Sequence, residues 1–337
     1  MKILLLGPVP PPVDGRAVAT GWLVDALRGD GHAVTVLNTQ AGGIIKLLHC
    51  LRAFFALLIG PRVDRAVVVA SGGAGLAFEA IPLFGARLRR VTTTLTHHSS
   101  RYVRQSSPML RVTLAMAGAR LRNAVLDEAM GAELSSLYGI DADRIIVLDN
   151  AGLMPLHRPP DSVTARRCAV HLSNLSADKG LGAVLEIAER TGVEVRLVGA
   201  PSEEATALLD EAVRRGVPFT AVGPRYGDAK TCELMKARCL VFPSYYRHEA
   251  QPLVLYEAAA AGCVPIAWRN GWIGEQLGRL GLDDYVFDLG DVEGMAAAVK
   301  EISELDDAAF AARSAQVRAA FEAQHARTQH QFRTLAE

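Results

Sequence analysis

The sequence lacks a net charge: its 337 residues hold 36 Lys and Arg against 36 Asp and Glu. A general nucleic-acid binder shows a basic footprint, so no nucleic-acid partner is expected, and any basic site must be local. Long hydrophobic runs are absent too. No stretch reaches the about 20 uncharged apolar residues that cross a bilayer. The most apolar window, Ile44–Ile59, is interrupted by Lys46, His49 and Arg52. The opening Ile3-Leu4-Leu5-Leu6 run is far too short for the core of a signal peptide. Cysteine is sparse: Cys50, Cys168, Cys232, Cys239 and Cys263 are odd in number and lack C-x-x-C spacing. They read as reduced, packed thiols of a cytoplasmic protein.

Two ligand fingerprints are missing as well. There is no G-x-G-x-x-G after the first apolar run, which disfavours a dehydrogenase. There is no D-x-D at a predicted strand end. Asp141-Ala142-Asp143 precedes a strand and reads as solvated, so no essential metal is expected.

What is present is an ordinary folded composition, 50% hydrophobic and 21% charged. That is too apolar and too evenly charged for disorder. The length predicts two domains of roughly 150–170 residues. Short β-rich runs alternate with helical stretches. Strands are predicted at Lys2–Gly7, Ala33–Asn38, Arg65–Ser71, Val91–His97, Asn123–Leu126 and Ile145–Asp149. Helices between them include Val18–Arg28, Gly75–Leu88 and Pro108–Leu121. Continuous apolar runs such as Val67-Val68-Val69 suit buried parallel strands. The alternation pauses over Asn150–Arg167, a proline-containing stretch read as a linker.

A second series follows, with strands at Cys168–Asn174, Val193–Gly199, Phe219–Gly223, Cys239–Pro243, Val264–Trp268 and Tyr285–Leu289. From Asp307 to Glu337 the pattern is a polar, Ala-rich helix. The fold class is therefore α/β, two doubly wound Rossmann-like domains with a cleft between them. The expected boundaries are 1–155 for the first domain and 165–310 for the second. A helix over 311–337 is expected to pack back on the first.

Ligands of open α/β sheets bind beyond the carboxyl ends of the strands. After the first strand, Pro10-Pro11-Pro12-Val13-Asp14-Gly15 is a stiff segment ending in a glycine before a helix. It is either a rigid connection or a close backbone approach to an anion. After a later strand comes Phe242-Pro243-Ser244, then Glu249, then Pro252 opening a helix that carries Glu257 among small residues. A close-packed carboxylate needs hydrogen-bond donors, and sugar hydroxyls supply them.

Glu249 and Glu257, seven residues apart, precede Glu-Ala-x-Ala-x-Gly-x-Pro. This resembles the E-x7-E signature of glycosyltransferase family 4, retaining enzymes of GT-B fold. Leu172–Gly180 is similar to that family's Gly-Arg-Leu-x-x-x-Lys-Gly segment. The opening Leu-Leu-Gly-Pro with Gly15 and the run Gly31–Val36 resemble its amino-terminal half-site. Asn270–Glu275 resembles its Gly-Gly-x-x-Glu. The resemblance covers nearly the whole chain.

It implies a nucleotide-sugar donor, UDP- or GDP-linked, and a saccharide or lipid-linked acceptor. Glu257 would accept from the ribose hydroxyls, and Glu249 would orient the hexose. Lys179 would bind the diphosphate with the N–H groups of Leu253 and Val254 and the Gly15 turn. Gly199 and Gln251 join the donor-binding set, and the Gly223-Pro224-Arg225-Tyr226 loop would contact the base. Asn174 departs from the family pattern, which has Arg there; Arg225 or Arg247 is the expected substitute. His97 and His98 follow the fourth strand, where the family has a histidine near the donor sugar. His97 is slightly preferred.

Two alternatives on the same fold are a nucleotide-sugar epimerase and a non-catalytic nucleotide-sugar binder. Ile44–Ile59 and the arginines after His98 have two readings. One is an ordinary helix packed on the sheet, the favoured one. The other is an anionic membrane surface, which would make the protein peripheral on the inner face of the membrane.

Overall fold

The computed structural model describes residues 1–40, 43–156 and 166–337. The chain divides into two compact units, Met1–Pro155 with His325–Glu337, and Leu156–Gln324.

The first unit runs β1 (Lys2–Gly7), α1 (Gly15–Gly29), β2 (Ala33–Asn38), α2 (Gly43–Leu58), β3 (Arg65–Val69), α3 (Leu76–Leu88), β4 (Thr92–Thr96), α4 (Pro108–Ala117), β5 (Leu121–Val125), α5 (Glu128–Tyr138), β6 (Ile145–Val147) and α6 (Asn150–Leu153). Its parallel sheet has the order β2-β1-β3-β4-β5-β6. Ile3, Leu5 and Val67 of the sheet pack with Leu23 and Leu27 of α1. Phe332 and Leu335 from the chain's end join this core.

The second unit runs β7 (Cys168–Leu172), α7 (Leu181–Thr191), β8 (Val195–Val198), α8 (Glu203–Arg215), β9 (Phe219–Ala221), α9 (Gly227–Lys236), β10 (Ala237–Phe242), α10 (Leu253–Ala260), β11 (Val264–Trp268), α11 (Ile273–Gly278), β12 (Val286–Phe287), α12 (Val292–Glu304) and α13 (Asp307–Thr328), whose end from His325 on belongs to the first unit. Its parallel sheet has the order β12-β11-β10-β7-β8-β9. All six residues of β10 are buried, as expected of a central strand covered on both faces.

Each predicted strand overlaps an observed one, with shifted ends; β5 and β10 begin two residues before their predicted starts at Asn123 and Cys239. Pro108–Leu121 does not stay helical to its end. Gly118 leaves the helix at φ 79°, so α4 stops at Ala117 and Leu121 opens β5. The predicted linker lies partly outside the described residues. Its described start is not a linker: Asp149 caps the turn Asn150–Leu153. A Cβ on Gly152 would sit 2.3 Å from the Thr328 carbonyl oxygen, so the chain's end packs directly on this turn. His325 Nδ1 donates to the Ala151 carbonyl at 3.0 Å.

All five cysteines are free, but Cys232 is exposed rather than packed. No helix among the described residues is long and apolar enough to cross a membrane.

Candidate functional site

In the second sheet the strand order reverses between β7 and β10, which lie side by side. Such a switch point leaves a crevice beyond the carboxyl ends of the two strands. Lys179 lies in the loop after β7 and Glu249 in the loop after β10. The fold brings them into an ion pair across 70 residues of sequence.

Two glycines make that approach possible. Gly180 has φ 80°, and a Cβ there would meet the Pro243 carbonyl oxygen at 1.9 Å. Any larger residue would push the lysine loop off the end of β10. Gly271 has φ 62°, and a Cβ there would meet the Glu249 carbonyl oxygen at 2.3 Å. The loops are also stitched by hydrogen bonds. Tyr245 N–H donates to the Asp178 carbonyl at 2.8 Å. Asn270 Nδ2 donates to the carbonyls of Ser244 and Tyr246 at 2.9 and 3.0 Å.

Within this frame Ser244 Oγ donates to Glu249 Oε1 at 2.9 Å. Lys179 bonds the same oxygen and stands 4.4 Å from the centre of the Tyr246 ring. Oε2 of Glu249 has no protein partner among the described residues. The Lys179 and Glu249 side chains keep 22% and 9% exposure.

Glu257 sits on α10, and Lys230 Nζ from α9 reaches its Oε1 at 2.5 Å. Its Oε2 likewise lacks a protein partner among the described residues. Two carboxylates, Glu249 buried and Glu257 half-buried, each with a lysine on one oxygen and no protein partner on the other among the described residues, can accept ligand hydroxyls while the lysines meet a ligand anion.

The α10 helix begins at Leu253, so Leu253 and Val254 carry first-turn N–H groups with no acceptor inside the helix. Gln276 Nε2 holds the preceding Pro252 carbonyl at 3.0 Å. Gln251 is buried, with Nε2 3.3 Å from the Tyr256 hydroxyl. A Cβ on Gly199 would meet the Ser173 carbonyl oxygen at 1.7 Å, so the end of β8 lies flush against the β7 loop. His171, under that loop, has Nδ1 2.8 Å from the Val241 carbonyl and Nε2 2.7 Å from Ser173 Oγ. Burial pushes its pKa down to about 4, so the ring is neutral.

Asn174 is exposed beside β7. Arg225 and Tyr226 are exposed before α9, and Arg225 donates to its own Pro224 carbonyl at 3.1 Å. Arg247 is exposed in the Glu249 loop. Among the described residues Lys230 also contacts a site carboxylate, and the sequence pattern did not single it out. Its only signal was a lysine in the first helical turn after a strand and a glycine-rich loop. Ser244 and Gln276 were likewise not singled out as supports. Glu275, in the segment similar to Gly-Gly-x-x-Glu, is exposed.

The remaining expected residues belong to the first unit. Gly15 opens α1 behind Asp14, whose side chain accepts from the Ala17 N–H at 2.9 Å; a Cβ on Gly15 would meet nothing. His97 is fully buried. Its Nε2 lies 3.1 Å from Asn123 Oδ1 and its Nδ1 3.2 Å from the Tyr102 hydroxyl, so both ring nitrogens are taken. Burial brings its pKa down to about 4. His97 is thus held in the core of the first unit by Asn123 and Tyr102. His98 is the half-exposed member of the pair. Burial, with Arg16 nearby, pushes its pKa down to about 3, so the ring is neutral.

Residues 169–304 match the family model of glycosyl transferases group 1. That stretch holds the β7 and β10 loops and both carboxylates. No protein with a curated description matches the chain in sequence. Solved structures share its fold. HepE of Anabaena in complex with UDP is 18% identical over the whole of both chains, with a TM-score of 0.76. WaaG, a glycosyltransferase involved in lipopolysaccharide biosynthesis, is 12% identical over 99% of this chain and 98% of its own, at 0.69. TarM of S. aureus, in complex with UDP, is 15% identical over 86% of this chain and 58% of its own, at 0.66. Two units, each built on a six-stranded parallel sheet, give this chain the GT-B type of architecture.

Proposed function

We propose that this chain is a retaining glycosyltransferase that moves a hexose from a nucleoside diphosphate sugar to a saccharide or lipid-linked saccharide. The observation that carries this reading is the pair of lysine–carboxylate contacts at the β7/β10 switch point, Lys179–Glu249 and Lys230–Glu257. The family match over residues 169–304 supports it.

When a sugar–phosphate bond breaks, negative charge grows on the departing diphosphate. Fixed cations and N–H donors in a water-poor crevice lower that barrier. Lys179 and the first-turn N–H groups of Leu253 and Val254 supply them. Lys230 adds the charge that an arginine at Asn174 would otherwise provide. Glu257 accepts from the two ribose hydroxyls through its unpartnered oxygen. Glu249 does the same for the hexose and stabilises positive charge at the anomeric carbon. No residue is assigned as a covalent nucleophile; a donor phosphate oxygen takes the acceptor's proton. The base is uracil or guanine, and HepE with bound UDP-glucose puts a uridine-linked hexose first among the donors to try.

A thermal-shift panel of nucleotide-sugars tests binding. At a hundredfold excess over its dissociation constant, a donor stabilises the protein by about 2.7 kcal/mol. Product analysis then separates the readings. Transfer releases nucleoside diphosphate in step with glycosylated acceptor. An epimerase yields an isomeric nucleotide-sugar and no free diphosphate. Binding without any turnover leaves the non-catalytic reading.

A further inference from the structure

The neutral total conceals an uneven distribution. Between Gly43 and Leu126 the sequence holds twelve Lys and Arg against two Asp and Glu. Both acids are used locally. Glu79 is buried against Lys46 and Ser71. Asp64 accepts from the Lys2 N–H at 2.8 Å and lies 3.8 Å from Arg62.

The same segment exposes an apolar row. The α2 helix turns Lys46, Cys50, Ala53 and Leu57 inward. On the opposite side stand Ile44, Leu48 and Phe55, with Arg52 among them and Ile59 one residue past the helix end. Ile44 and Ile59 are 77% and 76% exposed, and Leu48 and Phe55 more than half exposed. Their spacing keeps them within one helical stripe. The α3 helix packs beside α2, and its Phe84 and Leu88 are exposed too. At the end of this row lies a cavity of about 560 Å³ whose lining includes Arg62, Arg65, Arg89 and Arg90 against one acid, Asp64. Arg89 Nη1 reaches the Gly60 carbonyl at 2.7 Å, one residue beyond Ile59.

The favoured expectation for this window was a helix packed on the sheet, and its inner side does pack. That leaves the outer stripe unexplained, because a helix covering a sheet needs only one apolar side. Charge decides what fits there. Two copies of a row that carries Arg52 and ends at Arg62, Arg89 and Arg90 repel each other. An anionic bilayer attracts the arginines and takes aliphatic and aromatic side chains into its interfacial layer.

We infer that the first unit docks on an anionic lipid surface through the outer stripe of α2, with the arginine-lined cavity receiving lipid phosphate. The inference does not rest on the proposed transfer reaction, and its test measures no catalysis.

The test is co-sedimentation with vesicles of phosphatidylcholine, with and without phosphatidylglycerol. The protein pellets with the anionic vesicles and not with the neutral ones, and added salt weakens the binding. Leu48→Ser with Phe55→Ser weakens it by about tenfold or more, since two apolar side chains no longer enter the interface. Arg52→Gln weakens it about fivefold. All three positions are exposed, and circular dichroism checks that the variants stay folded. Equal binding to both vesicle types, or undiminished binding by the Leu48/Phe55 variant, overturns the inference. So does a concentration-dependent dimer, abolished by that variant, in a protein that ignores vesicles: it would assign the face to a second copy.

Discussion

At the switch point of the second sheet, Lys179 meets Glu249. At that of the first, between β1 and β3, Lys46 meets Glu79 beside Ser71, with Arg16 Nη1 3.4 Å from the same hydroxyl. The residue types match and the surroundings do not. Glu79 is 1% exposed and fully used: Lys46 lies at 2.5 Å, Ser71 N–H at 2.9 Å and Ser71 Oγ at 2.8 Å. Glu249 keeps one oxygen without a protein partner among the described residues, and its lysine is partly exposed. A satisfied buried pair holds loops in place. A pair with spare acceptors and some solvent can exchange partners with a ligand. The number of unused bonds, not the presence of the pair, distinguishes a candidate site from a structural strut.

The sharpest way to break this contrast is to remove one carboxylate from each pair. Glu79→Ala leaves the Lys46 charge buried without its partner and costs about 3–5 kcal/mol of stability. Glu249→Ala leaves Lys179 able to reach water and costs about 1 kcal/mol or less. Urea unfolding of both variants measures the difference; equal losses would remove the distinction between strut and site.

Turnover should divide in the opposite direction. Lys179→Ala and Glu257→Ala each cut it by roughly 10²–10³. Lys230→Ala, which spares both carboxylates, costs about tenfold. Steady-state kinetics with a responding donor measures all three, and wild-type turnover in Lys179→Ala would dismiss the site assignment.

The smallest effect per step comes from pH, and it treats the two units alike. His97 in one and His171 in the other have folded-state pKa values pushed by burial from 6.5 to about 4. The unfolded chain therefore binds protons first. This contribution is intact above pH 6.5 and is lost as pH falls towards 4, at about 1.4 kcal/mol per pH unit for each ring. Urea midpoints between pH 7 and 5 should fall accordingly, and a flat profile would contradict the burial of both rings.

Much of this was legible in the sequence because it is local. Unbroken apolar runs such as Ile3–Leu6 gave strands, and alternation with helices gave two doubly wound units. The seven-residue step from Glu249 to Glu257, with Pro252 between them, placed one carboxylate in a loop and the other on a helix. The Lys179-Gly180 pair, similar to the family's Lys-Gly segment, marked the loop after β7 as part of the site, but its approach to the end of β10 showed only in the structure. Other features depended on distant partners. Nothing near Lys230 announces Glu257, 27 residues away. Nothing near His97 in the sequence announces that Asn123 and Tyr102 hold its ring.

By itself the sequence determined the order of strands and helices, the spacing of the carboxylates and the basic excess between Gly43 and Leu126. Each follows from neighbours along the chain. Only the tertiary structure decided which lysine serves as a strut and which faces an open acceptor, which histidine is spent in the core, and which side of α2 stays uncovered. Those outcomes depend on the partners that sheet order brings within hydrogen-bonding distance, and on the solvent left once they have packed.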